Sequence, residues 1–206
     1  MTLRLYNYDL DLDCYRVRLV ASSLGIALEV VNLDIFPGRD HLTDAMLALN
    51  PAGRVPVLVD GPLVLTQPMA ILWHLAGVHD PARRLLAPAP EAAVLEWLCF
   101  AAQDLAPATA ARSASMMGGA DPEPLRVAAC KALRRLDDHL TQQALAGIGF
   151  VAGPVVTLAD LALFPAFALS RDFNLDHDTF PALRLWARRV RSVPGFITMP
   201  GIPDYH

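Results

Sequence analysis

"NPAGRVPVLVDGPLVLTQPMAI", residues 50–71, holds two apolar runs, a turn and the start of a helix. "VPVLVD" (55–60) and "LVLT" (63–66) flank Gly61-Pro62, which is the pattern of a hairpin. "QPMAILWHLA" (67–76) then reads as a helix with Pro68 in its first turn, where a missing N–H costs little. Pro56 opens a strand although it has no N–H for the ladder. It is either a plain strand-edge proline or part of a cis peptide that presents the Val55 backbone to a ligand. Gln67 and Pro68 fall at a helix N-terminus, where free amides form an anion site, or they mark an ordinary helix start.

Upstream, "LRLYNY" (3–8) is β-compatible. From Cys14 the pattern becomes helical: Val17, Val20, Ala21 and Leu24 share a face, and Gly25 ends the run as a C′ residue does. "ALEVVNLDI" (27–35) alternates like a strand, and "DHLTDAMLALN" (40–50) reads as a short helix stopped by Pro51. The order strand-helix-strand-helix-strand-strand-helix predicts a small mixed sheet with helices against it over residues 1–79.

Downstream, "DPARRLLAPAP" reads as a linker (80–90), and nothing after it has strand character. Residues 91–117 are helical with a break or kink at Pro107. "GGADPEP" (118–124) is a loop, and 125–145 are amphipathic through Leu125, Ala129, Ala132, Leu133, Leu136 and Leu140. "TLADLALFPAFALS" (157–170) is apolar all round and must be buried. Thr157 and Asp160 at its start have the spacing of a capping box, a structural device. "FPALRLWARRVRSVPGF" (180–196) reads as another amphipathic helix, ended by Pro194-Gly195. Residues 91–206 therefore read as an all-helical domain.

The 206 residues are 54% hydrophobic and 18% charged, enough apolar material for a core. A net charge of −4 provides no field for phosphates, so nucleic acid is not an expected partner, and the short arginine clusters are solvated helix faces. Cys14, Cys99 and Cys130 are odd in number and widely spaced, which suits a reducing compartment. No Cys/His spacing suggests zinc, so no metal is expected. No basic-then-apolar leader precedes "TLRLYNY", and the uncharged stretch 61–79 is broken by two prolines. A cytoplasmic protein without a membrane span is the expectation.

In order and spacing, "CYRVRLVASSLGI", "LNPAGRVPVLVDG", "LTQPMAI" and "VTLADLALFPAF" resemble the opening helix, cis-proline turn, Glu/Gln-Ser-x-Ala-Ile segment and capped buried helix of cytosolic glutathione S-transferases. The resemblance covers nearly the whole chain. It implies a thioredoxin-like N-terminal domain followed by an all-α domain, usually as a homodimer. Glutathione would be the co-substrate and a small hydrophobic electrophile the second substrate.

Carried over residue by residue, the resemblance implies that Val55, before Pro56, pairs its backbone with the cysteine of glutathione. Arg54 meets the glycine carboxylate, with His41 or Arg39 as alternatives, and Gln67 holds the γ-glutamyl amine. Tyr8 and Arg112 fall in the second-substrate cleft, with Trp97, Phe100, Thr109 and Met116 as further candidates, and Arg112 is the candidate anion partner.

Two positions depart from the family pattern. Pro68 stands where the family has a serine that gives its hydroxyl and N–H to the γ-glutamyl carboxylate; proline gives neither. The family's thiol-activating Ser, Thr, Cys or Asn is replaced by Asp11 and Asp13, followed by Cys14. An ionised aspartate repels a thiolate. Three rescues are open: an aspartate as general base or in protonated form, a donor hydroxyl from Tyr6, Tyr8 or Tyr15, or Cys14 as a low-pKa thiol at a helix N-terminus. The competing readings are an aspartate N-cap and a packed Cys14. At the level of the whole protein, the alternatives to a transferase are isomerase- or lyase-type chemistry using the cleft carboxylates, and a non-catalytic binding or assembly module.

Overall fold

The computed structural model describes residues 3–118 and 122–205. β1 (Leu3–Asn7) buries Leu3, Leu5 and Asn7 by strict alternation and leads into α1 (Leu12–Leu24). Asp11 caps α1, accepting the Cys14 N–H at 2.7 Å. Gly25 ends it at φ 65°, a left-handed conformation that glycine adopts without steric cost. β2 (Glu29–Asn32) is shorter than its alternation suggested. The expected helix 40–50 resolves into a 3₁₀ turn at Asp40–Leu42 and α2 (Asp44–Leu49). β3 (Val57–Asp60), β4 (Leu63–Leu65) and α3 (Pro68–Val78) follow as the hairpin-then-helix reading predicts.

The sheet order is β2-β1-β3-β4, with β2 parallel to β1 and the other two pairs antiparallel. Register decides where the site lies. Tyr6 faces Val57, so the segment leaving β1 runs beside Val55–Pro56. Leu58 faces Leu65, so the start of α3 opens at the same end of the sheet. This is the thioredoxin-like sheet expected for the first part of the chain.

The rest is helical, and no strand occurs there among the described residues. The break expected at Pro107 separates α4 (Glu91–Gln103) from α5 (Ala106–Met117), with Pro107 in the first turn of α5. α6 (Glu123–Leu145) starts slightly before its expected position; Gly119, Ala120 and Asp121 of the expected loop lie outside the described residues. α7 (Leu158–Ala168) is buried at every position and packs on α1, α3, α4 and α5. α8 (Pro181–Arg191) buries Leu183, Trp186, Ala187 and Val190.

One apolar cluster runs from Leu5 and Ile71 through Leu98 to Phe164 and Trp186, so both parts of the chain share a core. Three contacts tie α1 to the second part. The Arg16 Nε donates to the Ala162 carbonyl at 2.7 Å. The Tyr15 hydroxyl donates to the Ile197 carbonyl at 2.6 Å. Gly195, at φ 76°, lies so close to α1 that a Cβ there would stand 2.6 Å from the Ser22 carbonyl oxygen.

Candidate functional site

The segment between β1 and α1 meets α5 across a cleft of about 150 Å³. Tyr8, Leu10, Asp11, Leu12 and Phe36 line one wall; Thr109, Arg112, Ser113, Met116 and Met117 line the other. The lining is mostly apolar and carries one carboxyl, that of Asp11.

Asp11 has dense protein on most sides and keeps an edge on the cleft. Its carboxyl is pushed up to about 6, first by burial and then by the charge of Asp13, against the pull of the Cys14 amide and Arg16. Its N–H donates to the Tyr8 carbonyl at 3.0 Å, which fixes the turn that carries it. Asp13 is not among the cleft residues. It pairs with the nearly buried Arg16 guanidinium, one turn along α1.

Cys14 requires a correction. A helix N-terminus lowers a thiol pKa only when the thiolate also has solvent or a cation nearby. Here Cys14 has no exposed surface, and its sulfur accepts the Tyr8 N–H at 3.4 Å. Burial, followed by the Asp11 charge, holds the thiol well above its usual range. Cys14 is a packed core residue, not a reactive thiol. Tyr15 is similarly committed: it is buried, and its hydroxyl is spent on Ile197.

Arg112 is in the cleft wall, but it is not a free cation. Its Nε donates to Asp172 at 2.7 Å, and a terminal nitrogen donates to the Leu10 carbonyl. With a side chain only 6% exposed, it pins the β1–α1 segment to α5 and to the turn at Ser170–Phe173. That makes it a positioning group for the loop that carries Asp11, where an anion partner was expected.

The predicted glutathione-contact residues gather at the same end of the sheet, outside this cleft, whereas Trp97 and Phe100, expected in the second-substrate cleft, lie on α4 against His139 and Arg135. The Val55–Pro56 peptide is cis. Pro56 is buried, Val55 half-buried and Arg54 exposed. The turn before them is held by Asn50, whose side-chain amide donates to the Arg54 carbonyl at 2.7 Å and whose Oδ1 accepts the Ala52 N–H at 3.1 Å. Gln67 is the exposed N-cap of α3, makes no side-chain cap bond, and is followed by Pro68 as the first helical residue. His41 is half-buried in the 3₁₀ turn, and its Nδ1 is buried with no partner. Two helix N-termini, α1 and α3, thus open at one sheet end.

Sequence reasoning missed Asn50 and Asn7. Asn7 is fully buried; its amide donates to Asn32 at 2.6 Å and to Asp9 at 2.8 Å, and its oxygen accepts from Arg18. The signal was present: alternation from Leu3 and Leu5 puts Asn7 on the buried face, where a polar side chain needs partners.

Comparison with known proteins extends this geometry. The family described as "Glutathione S-transferase, N-terminal domain" matches residues 1–77. The chain is 32% identical to glutathione S-transferase 3 of Zea mays, over 98% of this chain and 95% of that one. It is 30% identical to a probable maleylacetoacetate isomerase of Vibrio cholerae, over 95% and 94%. Among solved structures, it superposes with a TM-score of 0.83 on a glutathione transferase homologue from Lodderomyces elongisporus that holds two GSH per subunit. That pair shares 25% identity, and the match covers 95% of each chain.

Proposed function

The chain belongs to the glutathione S-transferase family, and from that premise we propose that it binds reduced glutathione and uses Asp11 as the base that ionises its thiol. Asp11 carries the reading: a carboxyl at a helix N-terminus, open to an apolar cleft, with a pKa of about 6. A base poised just below neutral pH is ionised when the substrate arrives and still basic enough to accept a proton. The proton passes from the glutathione sulfur to Asp11. The neutral carboxyl then donates a hydrogen bond to the thiolate, which removes the repulsion an ionised aspartate would exert. The thiolate attacks a small apolar electrophile held among Leu10, Phe36, Met116 and Met117.

The tripeptide fits the sheet end beside this loop. The Val55 backbone lies outside the β3 ladder, which starts at Val57, and is free to pair with an extended peptide. Gln67 and the amides of α3 beyond Pro68 face the γ-glutamyl end; Arg54 or His41 meets the glycine carboxylate. Asp13 supports the site by holding Arg16. Residues 1–79 and 91–206, joined by 80–90, form the glutathione-binding and helical units. Two copies of the chain pair as a homodimer. The setting is the cytoplasm. Among the described residues, no helix is long and apolar enough to cross a membrane.

A second reading draws on the similarity to the probable maleylacetoacetate isomerase. The same thiolate would add to a conjugated double bond, allow rotation, and leave again, returning glutathione unchanged. Product mass separates the two: a conjugate gains glutathione, an isomer does not.

The deciding experiment is calorimetric titration of wild type and Asp11→Asn with reduced glutathione, paired with the ultraviolet absorbance of bound thiolate. Both proteins should bind at a Kd of about 1 mM or tighter, and only the wild type should show thiolate near neutral pH. No binding by the wild type, or equal thiolate in the variant, overturns the proposal.

A further inference from the structure

On the face away from the cleft, three ligand-type side chains converge. The Asp60 Oδ2 lies 2.8 Å from the His74 Nε2 and 2.8 Å from the His79 Nε2. All the donor atoms of this group lie within 4.8 Å of one another. Asp60 ends β3, His74 projects from α3, and His79 caps the C-terminus of α3, so the cluster bridges the sheet and its helix. The imidazoles meet edge to face, with ring centroids 5.3 Å apart, which leaves both Nε2 atoms aimed at the same point. The side chains are 14–27% exposed, so water and ions reach them.

We propose that Asp60, His74 and His79 form a binding site for a divalent first-row transition ion such as Zn²⁺, Co²⁺ or Ni²⁺, with an open position facing solvent. Two imidazoles and one carboxylate are the ligand types these ions select. Zinc binds nitrogen and oxygen at about 2.0–2.2 Å, so its tetrahedral ligands stand about 3.3 Å apart. The pocket needs to open by about half an ångström from its 2.8 Å hydrogen bonds, a side-chain adjustment at a part-exposed site. The ion takes the place of the two Nε2–H donors that share one carboxylate oxygen, and each imidazole then carries its proton on Nδ1 instead of Nε2. Arg83 in the adjoining groove is paired with Glu91.

The test uses untagged full-length protein titrated with Co²⁺ and followed by its visible spectrum, since cobalt reports both geometry and ligand type. The expected result is one equivalent bound, with bands of nitrogen and oxygen ligation and no thiolate charge-transfer band. The absence of that band excludes Cys99 and Cys130, which are not fully buried. His79→Gln and Asp60→Asn should each weaken binding by more than the ~10–100-fold that loss of an outer-shell partner causes. His79 sits at the surface end of α3, so its variant keeps the fold, which circular dichroism checks; bound Co²⁺ should also raise the wild-type melting temperature and leave that of His79→Gln unchanged. No stoichiometric binding, a thiolate band, or undiminished affinity in His79→Gln overturns the site.

Discussion

The N-termini of α1 and α7 each hold an aspartate pressed into protein, and the two do opposite work. At α7, Asp160 is fully buried and every lone pair is used. One oxygen accepts the Val151 N–H at 2.9 Å and the Trp186 indole N–H at 2.8 Å; the other accepts the Thr157 N–H at 2.8 Å and the Thr157 hydroxyl at 3.0 Å. At α1, Asp11 has the Cys14 amide, a like charge at Asp13 and an open edge on the cleft. Burial raises both carboxyls. Four donors compensate the first, so it is a structural clamp. The second is left under-solvated, which is the condition in which a carboxyl accepts a proton near neutral pH.

The sharpest way to break this contrast is Asp160→Ala. It strands four buried donors, which should cost about 4 kcal/mol and lower the melting temperature by roughly 10 °C in calorimetry. A loss under about 1 kcal/mol would mean that the clamp is not structural. Next is Asp11→Asn, which keeps an N-cap and removes the base. Turnover of a glutathione conjugation substrate should fall by about 10²-fold or more, and the wild-type rate should rise with pH through about 6 as Asp11 ionises, a limb the variant lacks.

The same variant should have the opposite effect on stability. A carboxyl raised above its unfolded value binds more protons in the folded state, so its contribution is full below about pH 4 and is lost as pH rises through about 6. Asp11→Asn should therefore be more stable than wild type at pH 8, by on the order of 2 kcal/mol, with the gap closing near pH 4 in urea unfolding. A gap independent of pH would remove the claim that Asp11 is strained by its charge. The smallest effect concerns a third helix start, α3, which has neither a clamp nor a base. Pro68→Ser restores an N–H and a hydroxyl toward the γ-glutamyl carboxylate and should tighten glutathione binding by about tenfold in calorimetry.

The fold was legible because its signals are local and redundant. Alternation marks β1, Gly25 stops α1, Gly61-Pro62 turns the hairpin, and the unbroken apolar run of α7 admits no exposed face. The site was legible in part. The sequence placed Asp11, Tyr8 and Arg112 near one another, and all three line the cleft. It could not separate Asp11 from Asp13, which stand two residues apart, the first as the N-cap facing the cleft and the second in the first turn paired with Arg16. It misread Cys14, whose thiol chemistry depends on burial by elements far along the chain. It could not show that Arg112 is tied down, because its partner Asp172 is 60 residues away in a turn that no periodicity announces. The Asp60–His74–His79 cluster is hidden for a similar reason. A spacing of five puts two helical residues about 140° apart, and only the end of α3 at His79 brings the second ring back beside the first.

The contacts of the final segment with α1 have a further consequence for how such proteins can be recombined. The helix that aims Asp11 is buttressed by Gly195 against Ser22 and by the Tyr15 bond to Ile197, near the opposite end of the chain. A chimaera that keeps residues 1–90 and takes the remainder from a relative also exchanges the brace behind its own base. Grafting a new electrophile cleft onto this scaffold therefore calls for two crossovers: one after α3, and a second that returns to the native sequence before Gly195.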